Sequence, residues 1–271
     1  MKDPASAFPK SDKVEAEQWV AEGSTLSVTH MPSRNEMQVV FIVPTLNEEE
    51  GIGVVLSGIG KVMQGNHTIL VVDGHSEDRT TQIARNKGAT VVSQRGRGYG
   101  DAYRTGFDYA SKELGAHIAV MIDGDGSYDP EDIPRLLNPI LEDRADLVIG
   151  NRLVNLKEGS MYFINKVGNI ILSWIARRTL GLKVGDTQCG LRALRTDLIR
   201  GLVLKEDGMP FAIEMLNEAR RSKARIVDVP IAYHRRMGYS KLSPIRDGVR
   251  ILRAILRLAT ANIRSRRGRI K

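Results

Sequence analysis

Three stretches of the chain share one pattern, an apolar β-branched run that stops at a polar or acidic turn. They are MQVVFIVPTLN (37–47), HTILVVDG (67–74) and AHIAVMIDGDG (116–126). A run this continuously apolar has no face left for water, so each reads as a strand covered on both sides of a sheet. ATVVSQ (89–94) and ADLVIGN (145–151) add two further strands. NEEEGIGVVLSGIGKVM, SEDRTTQIARNKG and GDAYRTGFDYASKELG lie between them as helices. Strands alternating with helices over residues 37–151 predict parallel βαβ units, an α/β fold with a mostly parallel sheet and helices on both faces. Ligands of such sheets bind outside the carboxyl ends of the strands, where these acidic turns fall.

Beyond residue 151 the strand rhythm weakens. Helices are predicted over 162–182, 210–223 and 243–267, with one strand in RIVDVPIAY (225–233) and a polar loop in GDTQCGLRALR (185–195). This C-terminal helical region is expected to cover the site on its acceptor side. Three segments follow: a polar leader over 1–36, a domain over 37–240, and a basic amphipathic helix over 241–271. In that helix Arg246, Arg250, Arg253 and Arg257 form one stripe, with Ile245, Val249, Ile251, Leu252, Ile255, Leu256 and Leu258 filling the opposite arc. A broad apolar face beside basic residues fits an interfacial membrane helix.

The net charge of +8 calls for an anionic partner: nucleic acid, a phosphorylated metabolite or a lipid surface. Nucleic acid is disfavoured, because acidic strand ends repel a phosphate backbone and no recognition motif is present. The single cysteine, Cys189, excludes an internal disulfide and reads as a small buried apolar residue. No run approaches the roughly 18 apolar residues that span a bilayer, and no signal-peptide core precedes the domain. The expected location is cytoplasmic, peripheral on the cytoplasmic membrane face.

The chemistry concentrates in IDGDGSYDP (122–130). Asp123 and Asp125 are hard oxygen ligands at a strand end, suited to Mg²⁺ or Mn²⁺ that keeps substrate phosphates as its other ligands. Asp129 reads instead as the cap of a helix with Pro130 in its first position. A calcium loop is excluded, since Tyr128 stands where the turn needs glycine and Pro134 where the bidentate Glu belongs. Asp73 closes its strand in VVDGHSEDRT and can accept a hydrogen bond from a base, while Ser76 and Asp78 are candidate helix caps. RGRGYG supplies Arg95 and Arg97 for phosphate. Arg152 follows the strand ADLVIGN, and Asp186, Gln188 and Arg192 share a polar loop. YHRRMGYSKLS gathers His234, Arg235, Arg236, Ser240 and Lys241 around Gly238, as an anion-binding loop does.

In this order VVFIVPTLNEEEGI, VVDGHSEDRT, RGRGYG, IDGDGSYDPEDI, GNR, DTQCGLRALR and RRMGYSK resemble the family 2 glycosyltransferases, within them the branch that makes polyprenyl-phosphate sugars. The resemblance covers residues 37–260. It implies a GT-A nucleotide-binding fold, a nucleotide-sugar donor and inverting transfer of a hexose to a polyprenyl phosphate. By it, Pro44, Thr45, Asn47, Glu48 and Asp73 belong to the nucleotide pocket, Arg97 lies near the diphosphate, and Asp123 and Asp125 bind metal. Arg152, Arg192, Arg236, Ser240 and Lys241 match positions near the acceptor phosphate. DTQCGLRALR is most similar to the dolichyl-phosphate glucosyltransferases, which implies UDP-glucose. GDP-mannose, UDP-GlcNAc and a soluble acceptor such as 3-phosphoglycerate are the alternatives. Ser127 stands where mannose synthases carry Gln, and Gly74 replaces the second Asp of the family's DDGS turn. A phosphate acceptor is already ionised near neutral pH; an alcohol acceptor would need a base, with Asp186 the candidate.

Overall fold

The structure, a computed structural model, describes residues 36–63, 65–154, 156–240 and 243–268, with backbone only for 266–268. The leader and Lys241 therefore lie outside the described residues. The apolar runs form β1 (Val39–Thr45), β2 (His67–Asp73), β3 (Thr90–Ser93), β4 (Ile118–Met121) and β5 (Leu147–Asn151). With β6 (Arg192–Arg195) and β7 (Ile226–Pro230) they make one sheet in the order β3-β2-β1-β4-β6-β5-β7. All pairings are parallel except those of β6, which runs antiparallel to both β4 and β5. The expected α/β class with a mostly parallel sheet is found.

Register explains why the polar turns converge. Thr45 pairs with Asp73 across β1 and β2, and Ile42 with Met121 across β1 and β4, so Thr45, Asp73 and the residues just after Met121 end at one edge. Between the strands run α1 (Ile52–Val62), α2 (Thr80–Asn86) and α3 (Tyr99–Lys112). α1 and α2 extend the sheet from β1 toward β3, whereas α3 carries the chain back across it to β4. Right-handed crossovers then place α3 on the face opposite α1 and α2. α3 packs on β1 and β2 closely enough that a Cβ on Gly106 would stand 2.4 Å from Ile42 Cγ2 and 3.2 Å from Val72 Cγ2.

A 3₁₀ turn (Pro130–Asp132) leads into α4 (Ile133–Leu141), and Asp129 caps it as expected, accepting from Glu131 N at 3.0 Å. Asp78 caps the start of α2 through Thr80 N (2.9 Å), but Ser76 does not; its Oγ accepts from Asn47 N at 2.9 Å. The second half supplies α5 (Phe163–Leu180), α6 (Thr196–Gly201), α7 (Phe211–Arg221) and α8 (Pro244–Gly268). The polar loop expected over 185–195 is corrected: its last four residues are β6. Arg192 and Arg195 disguise the strand, yet Arg192 is fully buried inside the sheet.

α8 packs against α5 and α7 through Ile251, Ala254 and Ile255, which are buried. Its apolar arc is therefore split, with Ile245, Val249 and Leu256 left exposed. Part of the basic stripe is engaged: Arg257 pairs with Glu206, and Arg250 with Asp247 at 3.5 Å.

Two glycine substitutions test this packing. Gly106→Ala gains up to about 1 kcal/mol of helix propensity but overpacks Ile42 and Val72, at a cost of about 1–3 kcal/mol. Denaturant unfolding is expected to show net destabilisation. Gly60→Ala, at an exposed position of α1 with nothing within 4 Å of the new Cβ, is expected to stabilise by about 1 kcal/mol.

Candidate active site

β4 leads directly into Asp123 and Asp125. Gly124 threads between them against Thr45, and Gly51 at the start of α1 lies so close that a Cβ there would sit 2.8 Å from the Gly124 carbonyl oxygen. The loop is thus clamped between β1 and α1. Each carboxylate is oriented through one oxygen. Asp123 Oδ1 accepts from Tyr103 Oη at 3.3 Å, and Asp125 Oδ1 from Ser127 N and Oγ at 3.0 and 2.6 Å. Burial, aided by the charge of Asp125, pushes the Asp123 carboxyl up to about 7. An anion so disfavoured is stabilised by a neighbouring cation.

Two features crowd Asp123 Oδ2 and Asp125 Oδ2. A Cβ on Gly190 would stand 2.8 Å from Asp123 Oδ2 and 3.0 Å from the hydroxyls of Tyr128 and Tyr99, so only glycine lets the segment leading to β6 approach. Gly190 N donates to Tyr128 Oη at 2.7 Å. On the other side Arg236 Nη2 donates to both oxygens of Glu48 at 2.8 and 2.9 Å, with Nη1 3.4 Å from Asp125 Oδ2.

The residues matched to a nucleotide pocket gather around Asp73. Its Oδ2 accepts from His75 N and Ser76 N at 3.1 and 3.0 Å, and its Oδ1 from Thr45 Oγ1 at 3.4 Å. Asn47, just after Pro44 and Thr45 of β1, adopts a left-handed φ of 49° and accepts from Glu77 N at 2.8 Å. Glu48 N donates to Thr80 Oγ1 at 2.8 Å. Arg95 pairs with Asp108 at 2.6 Å, whereas Arg97 is exposed and has no ion pair among the described residues.

The acceptor-side residues divide. Arg152 is buried and held bidentately by Asp186, Nε to Oδ2 at 2.7 Å and Nη2 to Oδ1 at 3.0 Å, with Tyr233 stacked 5.2 Å from its guanidinium carbon. Asp186 is fully buried, and its oxygens also accept from Gln188 N and Arg152 N. A carboxylate so engaged is not a free base; the structure corrects Asp186 to the residue that positions Arg152. Arg192 is corrected as well. Its guanidinium donates to the carbonyls of Cys189, Ala212 and Thr187, and burial lowers its affinity for the proton. It braces β6 against α7 and cannot receive a ligand. Cys189 is buried, its thiol pushed up to about 12 by burial.

Asp123, Asp125, Arg152, Arg236 and Ser240 line one cleft of about 730 Å³. Asp186 and Arg192 do not. Its mouth is apolar: Tyr162, Phe163 and Ile164 at the start of α5 face it with Tyr239, and Phe163 and Tyr239 are 80% and 89% exposed. The cleft joins hard oxygen ligands and guanidinium groups to an apolar rim. The tyrosine hydroxyls around Asp123 carry no sequence signal of their own: the apolar–aromatic spacing of α3 marks Tyr99 and Tyr103 only as core-facing, and Tyr128 lies just before the 3₁₀ turn.

Residues 40–202 match the family described as glycosyl transferase family 2. The low-salt glycan biosynthesis hexosyltransferase Agl6 of Haloferax volcanii is 36% identical over 79% of this chain, which spans about half (52%) of that relative's length. The dolichyl-phosphate hexose transferase of Haloferax volcanii is 34% identical over 81% of this chain and 93% of its own. Among solved structures, glucosyl-3-phosphoglycerate synthase from Mycobacterium tuberculosis, in complex with Mn²⁺, UDP and glucosyl-3-phosphoglycerate, superposes with a TM-score of 0.67. It is 22% identical and the match covers 83% of this chain and 81% of that one, a likeness of GT-A fold.

Asp186→Asn leaves the Arg152 charge buried without its counter-ion, and the expected loss is about 3–5 kcal/mol in denaturant unfolding. Ser240→Ala, at the exposed rim, is expected to stay within about 0.5 kcal/mol of the parent. Retained stability in Asp186→Asn would instead mark a carboxylate that does not hold the fold.

Proposed function

The chain belongs to glycosyl transferase family 2, and from that premise we propose that it moves a hexose from a nucleotide sugar to a polyprenyl phosphate of the dolichyl type. UDP-glucose is the favoured donor and Mg²⁺ or Mn²⁺ the favoured metal. One observation carries the reading: a single cleft joins the Asp123 and Asp125 carboxylates to guanidinium groups and an apolar mouth.

The donor set fits a divalent metal. Asp123 and Asp125 each spend one oxygen on a neighbouring hydroxyl or turn, and the second oxygen of Asp125 meets the Arg236 guanidinium at 3.4 Å, a contact a stronger cation can replace. Among the described residues no cluster of three His, Cys, Asp or Glu could cage a cation alone, which suits a hard ion that takes one or two carboxylates and completes its shell with phosphate. When bound there, the metal would supply positive charge to the departing nucleoside diphosphate.

The chain's own residues do the rest. Asp73, fixed by its turn and Thr45, would meet the base and ribose together with Pro44, Asn47 and Glu48, and exposed Arg97 would meet the diphosphate. Arg152, already charged and held rigid by Asp186, presents to the cleft a guanidinium whose Nη1 makes no hydrogen bond among the described residues. With Arg236, Ser240 and Lys241 it would hold the acceptor phosphate. That phosphate is ionised at neutral pH, so no general base is required, in keeping with the engagement of Asp186. Ser127 serves the Asp125 turn, which supports a donor other than GDP-mannose. The relatives' names support a lipid-linked phosphate, and the exposed aromatic rim supplies a path for its chain.

No helix among the described residues is long and apolar enough to cross a membrane. The exposed Ile245, Val249 and Leu256 of α8, beside its arginines, support contact with an anionic bilayer surface instead.

Four measurements test this. A UDP sugar with Mn²⁺ at 100 times its Kd is expected to stabilise the protein by about 2.7 kcal/mol in a thermal-shift assay, and no response to UDP or GDP sugars sinks the reading. Asp125→Asn is expected to lower transfer by about 10²–10³-fold or more with circular dichroism unchanged. The chain is expected to float with anionic vesicles, and Ile245→Asp with Leu256→Asp to abolish flotation. Transfer to 3-phosphoglycerate but not to vesicle-borne polyprenyl phosphate replaces the lipid acceptor with a soluble one.

A further inference from the structure

The β7–α8 connection reaches the carboxylate loop by two backbone hydrogen bonds, His234 N to Ser127 O at 2.9 Å and Met237 N to Asp125 O at 2.8 Å, and by a Tyr128–Tyr233 bridge. These fix the backbone on both sides of Arg236. Its neighbour Arg235 turns toward Tyr162, with the guanidinium carbon 5.8 Å from the ring centre. Arg236 turns the other way, onto Glu48 and Asp125 Oδ2. The three side chains are only 21%, 13% and 14% exposed, so their charges are poorly hydrated and depend on one another.

Arg236 therefore claims the carboxylate oxygen that Asp125 keeps for a cation. Among the described residues no other cation is ion-paired with Asp125, and the nearby Arg152 is committed to Asp186. We infer that Arg236 is a built-in competitor of the divalent metal for Asp125, and that its release makes metal and nucleoside diphosphate bind synergistically. The inference rests on the metal reading above and concerns this residue's part in it.

A divalent cation that takes Asp125 Oδ2 strips Arg236 of one anionic partner in a sheltered place, which opposes metal binding alone. The diphosphate, sharing the cleft with the acceptor phosphate, offers the freed Nη1 new anionic oxygens while Nη2 stays on Glu48. Each ligand then removes a penalty from the other, and the coupling is reciprocal. Arg236 acts as a positioning residue: it keeps the carboxylates neutralised and apart from stray cations until the anionic substrate brings a replacement. The Arg236 to Glu48 contact survives the exchange and acts as the pivot.

The test measures Mn²⁺ binding by the loss of the free-ion electron paramagnetic resonance signal, with Mn²⁺ alone and with saturating UDP or GDP. The parent is expected to bind Mn²⁺ alone weakly and at least about fivefold more tightly with the productive nucleotide. Arg236→Gln is expected to bind Mn²⁺ alone about tenfold more tightly than the parent and to lose most of the nucleotide enhancement. Arg236→Lys, which keeps the charge, is expected to stay within about threefold of the parent for Mn²⁺ alone. Arg236→Met, which keeps the aliphatic stem, stands in should the Gln variant fail to fold. Unchanged Mn²⁺ affinity and unchanged enhancement in Gln and Met overturn the inference while leaving the metal site standing. A parent that binds no Mn²⁺ with either nucleotide overturns both.

Discussion

Two carboxylates separated by one glycine, both half-buried just past the end of a sheet strand, repel each other, and the architecture around them answers that repulsion. Asp123 is sheltered beneath Tyr99, Tyr103 and Tyr128, where burial works against its charge; Asp125 is tied into a turn by Ser127. Neither arrangement is stable without positive charge nearby. The connection from β7 carries Arg236 to the spot, and the segment leading to β6 closes in through Gly190, whose lack of a side chain leaves room for the oxygens. Guanidinium groups and tyrosines are thereby gathered with the two carboxylates along one cleft.

A second buried charge is handled by a different rule. Arg152 is not left to meet an anion by itself; it is matched in advance with Asp186 and stacked on Tyr233. A buried ion pair contributes little net stability, but it holds a guanidinium in one orientation. Asp186, expected as the base for an alcohol acceptor, has its oxygens engaged by the Arg152 guanidinium and by the backbone N–H groups of Arg152 and Gln188.

Much of this was legible in the sequence because it is local. The runs 37–47, 67–74 and 116–126 announce buried strands by composition alone, and Asp129 with Pro130 announces a cap by adjacency. What could not be read depends on distant partners. β6 was hidden because two of its four residues are arginines, and arginine is normally a surface residue. Only the fold shows that three main-chain carbonyls await Arg192. The Glu48 to Arg236 and Arg152 to Asp186 pairs join residues 188 and 34 positions apart, beyond any periodicity. The amphipathic pattern of α8 correctly marked a helix, but not that half its apolar arc would be spent on α5 and α7.

The span of the Glu48 to Arg236 pair also sets a timetable. β1, β2 and β4 and their acidic turns leave the ribosome early, whereas the loop that supplies the balancing guanidinium emerges more than 180 residues after Glu48. Contacts of such separation close late, since the intervening loop must first lose its freedom. A nascent chain therefore carries the carboxylates without Arg236, and the cleft comes into being only as synthesis of the domain ends. Substrate can be engaged only by a chain whose last strand is already in the sheet.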